Sequence, residues 1–315
     1  MENMSSVSQS FYRFMSGIID YAGLYPPANL PLDEAFRNFV GYQNSAEAWM
    51  LSRFIIPARR LVELSLPDTE AKQFSFSALA RGGKDLNEFV ENIKLDLDDI
   101  RRFQEPNRSW ALVDLFEVAL PASALTDKNR ASDLVNQISD LVNKNGITIY
   151  MEAPFGEGWQ VQAEKLIRAL RKVKDRHVGF KLRTGGITPD AFPSIEQVAW
   201  AILETHDSGI PLKCTAGLHH PIRHFNASVQ TKMHGFLNVF GAGLLAAAND
   251  ITQDRVQAIL EDENPESFHF EDADFAWKDL RVTASEIKKL RHQVTTFGSC
   301  SFDEPHEDLR NLNLL

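Results

Sequence analysis

Short apolar segments alternate with longer amphipathic segments along most of the chain. Apolar runs bounded by turn residues are typical of buried parallel strands, and the amphipathic segments between them are typical of helices that pack on a sheet. The predicted strands lie at 17–27 (with the following loop), 49–58, 74–80, 110–120, 147–153, 178–184 and 211–217. The helices that follow the first six are predicted at 32–43, 59–66, 84–103, 129–145, 159–173 and 188–209.

The pattern is less regular after the seventh predicted strand. Apolar residues between 236 and 248 recur at helical spacing and predict a helix, so the eighth strand is expected near 267–272. The alternative places the eighth strand at 236–241, and a last helix is predicted at 283–294.

Eight strand–helix units favour a single-domain (β/α)8 TIM-type barrel over an open doubly wound sheet. This barrel is expected to span residues 1–297. The remaining segment, 298–315, is expected to form a C-terminal tail that packs on the barrel or on a partner chain.

Charged side chains follow the inward face of three consecutive predicted strands. Side chains alternate between the two faces of a strand, and the all-apolar face of each strand should meet the helices. This leaves Lys181 and Arg183 of the sixth strand, Lys213 and Thr215 of the seventh, and Glu152 of the fifth pointing into the barrel. They lie near the carboxyl ends of the strands, where barrel enzymes keep their active sites.

Other strands offer further charged groups for the same interior. The first strand can add Asp20 and the second Arg53. The fourth offers Asp114 or Glu117, which are three residues apart, so only one of them points inward on a regular strand and alternation cannot choose between them. A buried ion-pair network that only braces the barrel is the competing interpretation, although many desolvated charges are costly without a use.

A lysine in such a cluster can act as a nucleophile. An amine attacks a carbonyl only when it is deprotonated, and burial and nearby cations both lower the pKa of a lysine. Arg183 and Lys213 are expected to lower the pKa of Lys181 in this way. Lys181 is therefore the predicted nucleophile and Lys213 its partner, with Glu152 or Asp114 carrying protons.

The two lysine segments resemble a known enzyme family. KLRTGG and LKCTAGL are similar to the strand-six and strand-seven motifs of class I aldolases of the deoxyribose-phosphate aldolase type. Lys181, Thr184 and Gly185 match the first motif, and Lys213 and Gly217 match the second. The resemblance implies an aldolase or lyase that forms a Schiff base on the first lysine, with the second lysine assisting proton transfer.

Two further resemblances concern the fourth strand and the chain as a whole. VDLFEV at the fourth strand looks like the acidic strand of the aldolase family and would point to Asp114. Across its whole length the chain also resembles a family of bacterial proteins of unassigned function, through the segments DYAGLYPPA, WMLSRFIIPA, FKLRTGG, TAGLHHP and FGSCSFDEP. Arg183 occupies a position where the aldolases have a small residue.

The loop after the seventh strand contains candidate ligands for a metal or a substrate. His219 and His220 could bind a divalent metal together with Glu152 or Asp20, and a barrel hydrolase or isomerase would use the two histidines and Glu152. Otherwise one histidine would be an acid–base group or substrate contact, and arginines nearby would bind a carboxylate or phosphate. The predicted substrate-binding residues are Asp20, Arg53, Arg183, Thr215, His219, His220 and Arg223.

Composition narrows the possible partners. The net charge of −10 argues against general binding to nucleic acid or to an acidic membrane, and the apolar run at 236–248 is too short to span a bilayer. Two cysteines and no leader pattern predict a reduced, cytoplasmic location. The expected partner is a small anionic molecule, with homo-oligomerisation possible and no cofactor required. A non-catalytic barrel that binds an anionic metabolite is the third alternative.

Overall fold

A closed barrel of parallel strands forms the centre of the computed structural model, which describes residues 7–65, 73–173 and 177–315. The eight strands are adjacent in the order β1, β13, β7, β6, β5, β4, β3 and β2. Their bounds are β1 Ile19–Tyr21, β2 Leu51–Pro57, β3 Phe74–Leu79, β4 Ala111–Ala119, β5 Thr148–Glu152, β6 Val178–Arg183, β7 Leu212–Thr215 and β13 Val294–Ser299. The predicted (β/α)8 barrel is confirmed.

Helices connect the strands and cover the outside of the barrel. They are α1 Gln9–Met15, α2 Leu32–Tyr42, α3 Leu86–Asn107, α4 Lys128–Asn143, α5 Trp159–Leu170, α6 Ile195–Ser208, α7 Phe236–Ala248, α8 Gln253–Glu261, α9 Ala284–Leu290 and α10 Asp303–Asn311. The helix predicted at 59–66 is a 3-10 segment, Ala58–Glu63, and Leu66 lies outside the described residues. Within the described residues no helix is long and apolar enough to cross a membrane.

The alternation of side chains follows the predicted faces of the barrel strands. Val178, Phe180 and Leu182 of β6 are fully or almost fully buried against the outer helices. This leaves Lys181 and Arg183 on the inner face, and each forms an ion pair with a residue of β5 there.

The eighth barrel strand differs from both predicted positions. β13 lies between β1 and β7, with Phe297 opposite Ile19 and Val294 opposite Leu212. Residues 236–241 belong to α7, which confirms the helix but excludes the alternative strand. β13 continues to Ser299, so the first two residues of the predicted tail belong to this strand.

The segment predicted as the eighth strand lies in a separate small sheet. Strands β10 Phe268–Phe270, β11 Asp274–Trp277 and β12 Leu280–Thr283 form an antiparallel meander. The ring of Phe270 packs edge-on against Phe11 and Phe14 of α1. The apolar residue Phe270 thus packs on α1, and this segment does not complete the barrel.

A hairpin and a terminal helix lie beyond β7 and β13. The hairpin consists of β8 His224–Asn226 and β9 Thr231–Met233. The helix α10 begins at Asp303, whose carboxylate accepts a 2.6 Å hydrogen bond from Tyr42 of α2. Arg310 near its end forms an ion pair with Glu47. The terminal segment is therefore attached to the barrel through the residues around α2.

Strand β4 contains a bulge that decides which acidic residue faces inward. Phe76 pairs with Val113, but the next residue of β3, Ser77, pairs with Leu115, so Asp114 is an extra residue in the ladder. Such a bulge resets the alternation of the side chains that follow it. Glu117 consequently points to the barrel interior, where its side chain is fully buried.

Candidate active site

Eight charged side chains form one continuous series of ion pairs through the barrel interior. Acidic and basic groups alternate along the series, and four carboxylates balance four cations. The members come from six of the eight barrel strands, and neighbouring members of the series always lie on different strands. In order, the members are Asp114, Arg53, Asp20, Lys213, Glu117, Lys181, Glu152 and Arg183.

Lys213 lies at the middle of the series and has no exposed side-chain surface. Its ammonium forms an ion pair with Asp20, lies 3.4 Å from Glu117 Oε1 and donates a 3.0 Å hydrogen bond to Thr296 Oγ1. Thr296 in turn donates a 2.6 Å hydrogen bond to Asp20. A lysine enclosed in this way is held in place by three polar partners, and it does not line the pocket described below.

Lys181 lies closer to the carboxyl ends of the strands. Its Nζ is 2.8 Å from Glu117 Oε2 and 3.3 Å from Glu152 Oε2, and 9% of its side chain is exposed. Glu117 also accepts a 2.6 Å hydrogen bond from Ser77 Oγ. Arg183 Nε lies 3.2 Å from the other oxygen of Glu152. Two carboxylates thus hold the predicted nucleophile at the wall of the barrel mouth.

Asp114 does not reach either lysine within the series. Both of its carboxylate oxygens accept hydrogen bonds from Arg53, from Nε and Nη2, each at 2.7 Å. The backbone N–H of Arg53 donates to Asp20 at 3.1 Å. The carboxylate between the two lysines is Glu117, because the bulge at Asp114 shifts the register of β4. Glu117 therefore replaces Asp114 as the acidic partner of the lysines.

The expected lowering of the lysine pKa is wrong. Burial lowers the pKa of Lys181, but attraction to Glu117 and Glu152 outweighs it, and the net pKa is raised above 10.5. Burial raises the pKa of Glu117, but Lys181 and Lys213 together lower it to about 2. The resting site therefore holds an ammonium between carboxylates, and the nearby cations do not deprotonate it.

A pocket of about 370 Å³ opens at this end of the barrel. Its walls include Lys181, Arg183, Thr215 and His219, four of the residues predicted for the site. This volume is in the range typical of small-molecule sites. Further lining residues that the sequence analysis did not assign to the site include Tyr25, Ile55, Leu79, Gly298 and Cys300.

His219 contributes a third cation to the pocket wall, besides Lys181 and Arg183. Its Nδ1 lies 3.8 Å from Cys300 Sγ and 3.5 Å from Glu304 Oε2. Burial lowers the pKa of His219, but the contacts with Cys300 and Glu304 raise it to about 9. The imidazole is therefore protonated near neutral pH. Glu304 belongs to α10, so the terminal helix supplies a residue next to the pocket.

His220 and Arg223 lie outside this pocket. His220 Nδ1 contacts Asp308 of α10 at 2.5 Å, and the backbone N–H of Arg223 donates to Asn238 at 2.9 Å. In the described part of the chain, no three His, Cys, Asp or Glu side chains are grouped so that they could hold a metal ion. His219, His220 and Glu152 do not form the predicted metal site, because the two histidines have different partners.

The motif residues beside the lysines shape the backbone of the pocket. Gly217 has φ +73°, and a Cβ there would lie 2.8 Å from Gly185 Cα. Thr184 Oγ1 donates hydrogen bonds to the carbonyl oxygens of Thr215, at 3.1 Å, and Ala216, at 2.5 Å. The loops after β6 and β7 therefore approach closely and require glycine at their contact.

Comparison with known proteins supports the fold. No family model matches the chain, and no curated protein matches it. Among solved structures, a deoxyribose phosphate aldolase from Aeropyrum pernix, described as having a unique tetrameric structure, is similar with a TM-score of 0.51 and 11% identity. The match covers 98% of this chain and 99% of the aldolase. This likeness shows a shared (β/α)8 barrel fold; self-association of the present chain stays a prediction.

The site residues that could not be assigned from the sequence were missed for two reasons. Thr296 holds Asp20 and Lys213, but its strand was not recognised, so its inward direction could not be inferred. Ser77 binds Glu117 from a predicted strand, where a small polar residue gives little signal on its own. Cys300 follows directly after the unrecognised strand β13.

Proposed function

We propose that the chain is an aldolase-like lyase that acts on a small, oxygenated, anionic carbonyl compound through Lys181. The observation that carries the proposal is the Lys181 ammonium at the wall of a barrel-mouth pocket, between Glu117 and Glu152. Arg183 and His219 line the same pocket and would attract the carboxylate or phosphate of the substrate.

The first chemical step would move one proton from Lys181 to Glu152. The free amine then attacks the carbonyl carbon, and a proton passes from nitrogen to the former carbonyl oxygen. Glu152 returns its proton to this hydroxyl, which leaves as water, so that an iminium remains on Lys181. The contact of 3.3 Å between the two side chains supports this exchange.

Carbon–carbon cleavage would follow from the iminium. The carboxylate of Glu152 removes the proton of the substrate hydroxyl at the β carbon, and the bond between the α and β carbons breaks. Its electron pair moves towards the iminium nitrogen, giving an enamine and an aldehyde product. Protonation of the α carbon and hydrolysis with one water then release the second product and restore Lys181.

A non-catalytic role in binding an anionic metabolite is the second candidate. The observation that favours it is the raised pKa of Lys181, which results from Glu117 and Glu152 outweighing burial. A lysine that keeps its proton can bind an anion but cannot attack a carbonyl. The two candidates thus differ in the protonation state of Lys181 when the small molecule is bound.

Borohydride trapping separates the candidates. The protein is incubated with glyoxylate, pyruvate, glycolaldehyde and related aldehydes and ketoacids, reduced, and mapped by peptide mass spectrometry. The lyase proposal expects an adduct on Lys181 whose yield rises from pH 7 to pH 10, because the free-amine fraction grows about tenfold per unit below the pKa.

Two controls accompany the trapping experiment. Lys181→Arg keeps a cation between the two carboxylates but cannot form an imine, so its adduct should disappear while circular dichroism stays unchanged. Exposed Lys94 reports nonspecific modification. Absence of a Lys181 adduct over the whole panel and pH range would reject the lyase proposal. Calorimetry with the same anions then tests the binding candidate, which fails if none of them binds.

A further inference from the structure

Three side chains meet at the wall of the pocket without taking part in the chemistry of Lys181. Cys300 follows β13, His219 follows β7 and Glu304 lies in the first turn of α10. Nδ1 of His219 lies 3.8 Å from Cys300 Sγ and 3.5 Å from a carboxylate oxygen of Glu304. Cys300 and His219 both line the pocket.

This arrangement provides what a nucleophilic thiol requires. A thiol reacts as its thiolate, and an adjacent imidazole both accepts the thiol proton and stabilises the resulting negative charge. The carboxylate of Glu304 favours the protonated imidazole from a second direction. The pocket supplies access for a small molecule to a cysteine that is otherwise buried.

We propose that Cys300 is a second nucleophile of the barrel-mouth pocket, activated by His219, and that it adds to small anionic aldehydes. Beside the protonated imidazole of His219, Cys300 reacts as the thiolate of an ion pair, and its sulfur forms a bond to the carbonyl carbon. The π-electron pair of the carbonyl moves to its oxygen, which takes a proton from the His219 imidazolium. The product is a hemithioacetal, and no oxidant, reductant or water is consumed.

Cys214 offers an internal comparison within the same protein. It lies on the outward, helix-facing side of β7 and is almost completely buried. Burial raises the pKa of the Cys214 thiol to about 12, with only a small opposing effect of Lys213. The chain therefore contains one thiol that lines the pocket beside an imidazole and one that is enclosed in the hydrophobic core.

Several charged groups bear on the ionisation of Cys300 besides its two partners. Tyr21 of β1 interacts with it, and Asp303 of α10 lies near that tyrosine. Lys181 and Arg183 line the same pocket, as does Glu117, which is already paired with two lysines. The two pocket cations favour a thiolate, and the acidic residues oppose it. Among the hydrogen bonds of the described residues, only the one to the imidazole of His219 joins one of these groups to the sulfur within 4 Å.

Alkylation kinetics test the activation of the thiol. Wild-type protein is treated with iodoacetamide from pH 5.5 to pH 9.5, and each cysteine is followed by peptide mass spectrometry. Cys300 should react with a midpoint below that of free cysteine, about 8.5, whereas Cys214 should remain unmodified. In His219→Asn the midpoint should rise by a unit or more, so labelling at pH 6.5 falls about tenfold.

Further variants keep the alkylation test decisive. Glu304→Gln should move the Cys300 midpoint upward by a smaller amount, and it covers the case in which His219→Asn does not fold. Lys181→Arg should leave the midpoint of Cys300 low, because this proposal is independent of imine formation. A wild-type midpoint at or above that of free cysteine overturns the proposal. An unchanged midpoint in both the His219 and the Glu304 variant also overturns it.

Carbon-13 NMR tests the predicted addition itself. Glyoxylate labelled at the aldehyde carbon is added to wild-type protein, Cys300→Ser and Lys181→Arg. A hemithioacetal resonance should be present in wild type and Lys181→Arg and absent in Cys300→Ser. If no such resonance forms in the wild type, Cys300 does not add to this anionic aldehyde and the substrate class is wrong. An imine on Lys181 would be seen separately, so the two proposals can fail independently.

Discussion

At the scale of single residues, Glu117 connects the two lysines of the site. It lies between the two lysines, at 2.8 Å from one and 3.4 Å from the other, and its side chain has no exposed surface. Removing one partner from a buried ion pair leaves an uncompensated charge, which costs far more than the pair contributes. Glu117 therefore determines whether both ammonium groups can remain inside the barrel.

We expect Glu117→Gln to lower stability strongly at neutral pH and less in acid. The pKa of Glu117 is lowered to about 2 because Lys181 and Lys213 outweigh burial, whereas the unfolded chain has the ordinary value near 4.5. A carboxylate with a depressed folded-state pKa contributes stability above about pH 4.5, and this contribution is lost as the pH falls towards 2. The difference from wild type should shrink over that interval.

Urea unfolding at pH 7, 4 and 3 measures this difference. Glu157→Gln serves as the matched control, since Glu157 is exposed and the change removes the same charge. The control should unfold close to wild type at every pH. A Glu117→Gln variant whose loss of stability is the same at pH 7 and pH 3 would contradict the assigned ionisation.

Lys213 should be mainly a structural partner within the series. We expect Lys213→Met to destabilise the protein by about 3–5 kcal/mol, because Asp20 and Glu117 then lose a buried cation. Combining it with Asp20→Asn should cost less than the sum of the two single changes, since the unpaired carboxylate is also removed. Denaturant unfolding of all four proteins measures this coupling, and strictly additive losses would disprove it.

The inward direction of most charged residues could be predicted from alternation alone. Lys181, Arg183 and Glu152 lie on the predicted faces because β5 and β6 are regular. Asp114 and Glu117 could not be distinguished because a bulge changes the alternation without leaving a sequence signal of its own. The direction of the shift in the pKa of Lys181 depended on which of these two acidic residues faces inward, because the carboxylate next to the lysines outweighs the nearby cations.

At the scale of secondary-structure elements, seven barrel strands were predictable and the eighth was not. The first seven are apolar runs followed by amphipathic segments, a pattern fixed by burial on both faces of a parallel sheet. β13 includes Thr295 and Thr296. Both threonines bind polar groups inside the barrel, so the strand lacks an apolar run. The meander β10–β12 before it has a more strand-like sequence but packs on α1.

Differences in local packing predict opposite effects on stability when two glycines are replaced by alanine. A Cβ at Gly179 of β6 would lie 2.2 Å from Cε1 of Tyr150, a fully enclosed ring, whereas nothing lies within 4 Å of a Cβ at Gly41 of α2. Gly179→Ala should destabilise by about 1–3 kcal/mol through overpacking. Gly41→Ala should stabilise by about 0.5–1 kcal/mol, because alanine has the higher helix propensity.

Thermal and urea unfolding measure both changes. The contrast matters more than either value, because the two substitutions add the same methyl group to different surroundings. If Gly179→Ala were neutral or stabilising, the close contact between β5 and β6 at Tyr150 would not be present in the protein. If Gly41→Ala left the stability unchanged, this result would contradict only the expected gain in helix propensity near the end of α2.

The terminal helix α10 should control the ionisation of His219. Contacts with Cys300 and Glu304 raise the pKa of His219 to about 9 despite burial. We expect NMR titration to give a high value in wild type and a lower one in Glu304→Gln, with the exposed Glu307→Gln of the same helix as control. Since the folded-state pKa is raised, the stabilising effect of this charge is present below pH 6.5 and is lost as the pH rises through 9. A variant that titrates like wild type would exclude the contact.

At the scale of the whole molecule, the charge series and the barrel depend on the same closure. The series crosses from β4 and β2 through β1 and β7 to β6, so its members keep their contacts only while the strands stay closed around it. The association of Asp20 with Lys213 connects strands that are neighbours of β13 on either side. Loss of β13 would therefore open the barrel at the middle of the ion-pair series.

Two truncations test this dependence. A chain that ends at residue 291 lacks β13, which leaves β1 and β7 with unpaired edges and Lys213 without Thr296. We expect it not to fold cooperatively. A chain that ends at residue 302 keeps β13 and lacks only α10 and the last residues, so it should form the barrel with reduced stability because the buried side chain of Leu309 is lost. Circular dichroism, gel filtration and urea unfolding compare the two with the full chain. Cooperative unfolding of the shorter chain would contradict closure by β13, and failure of both chains would instead make α10 necessary for the barrel.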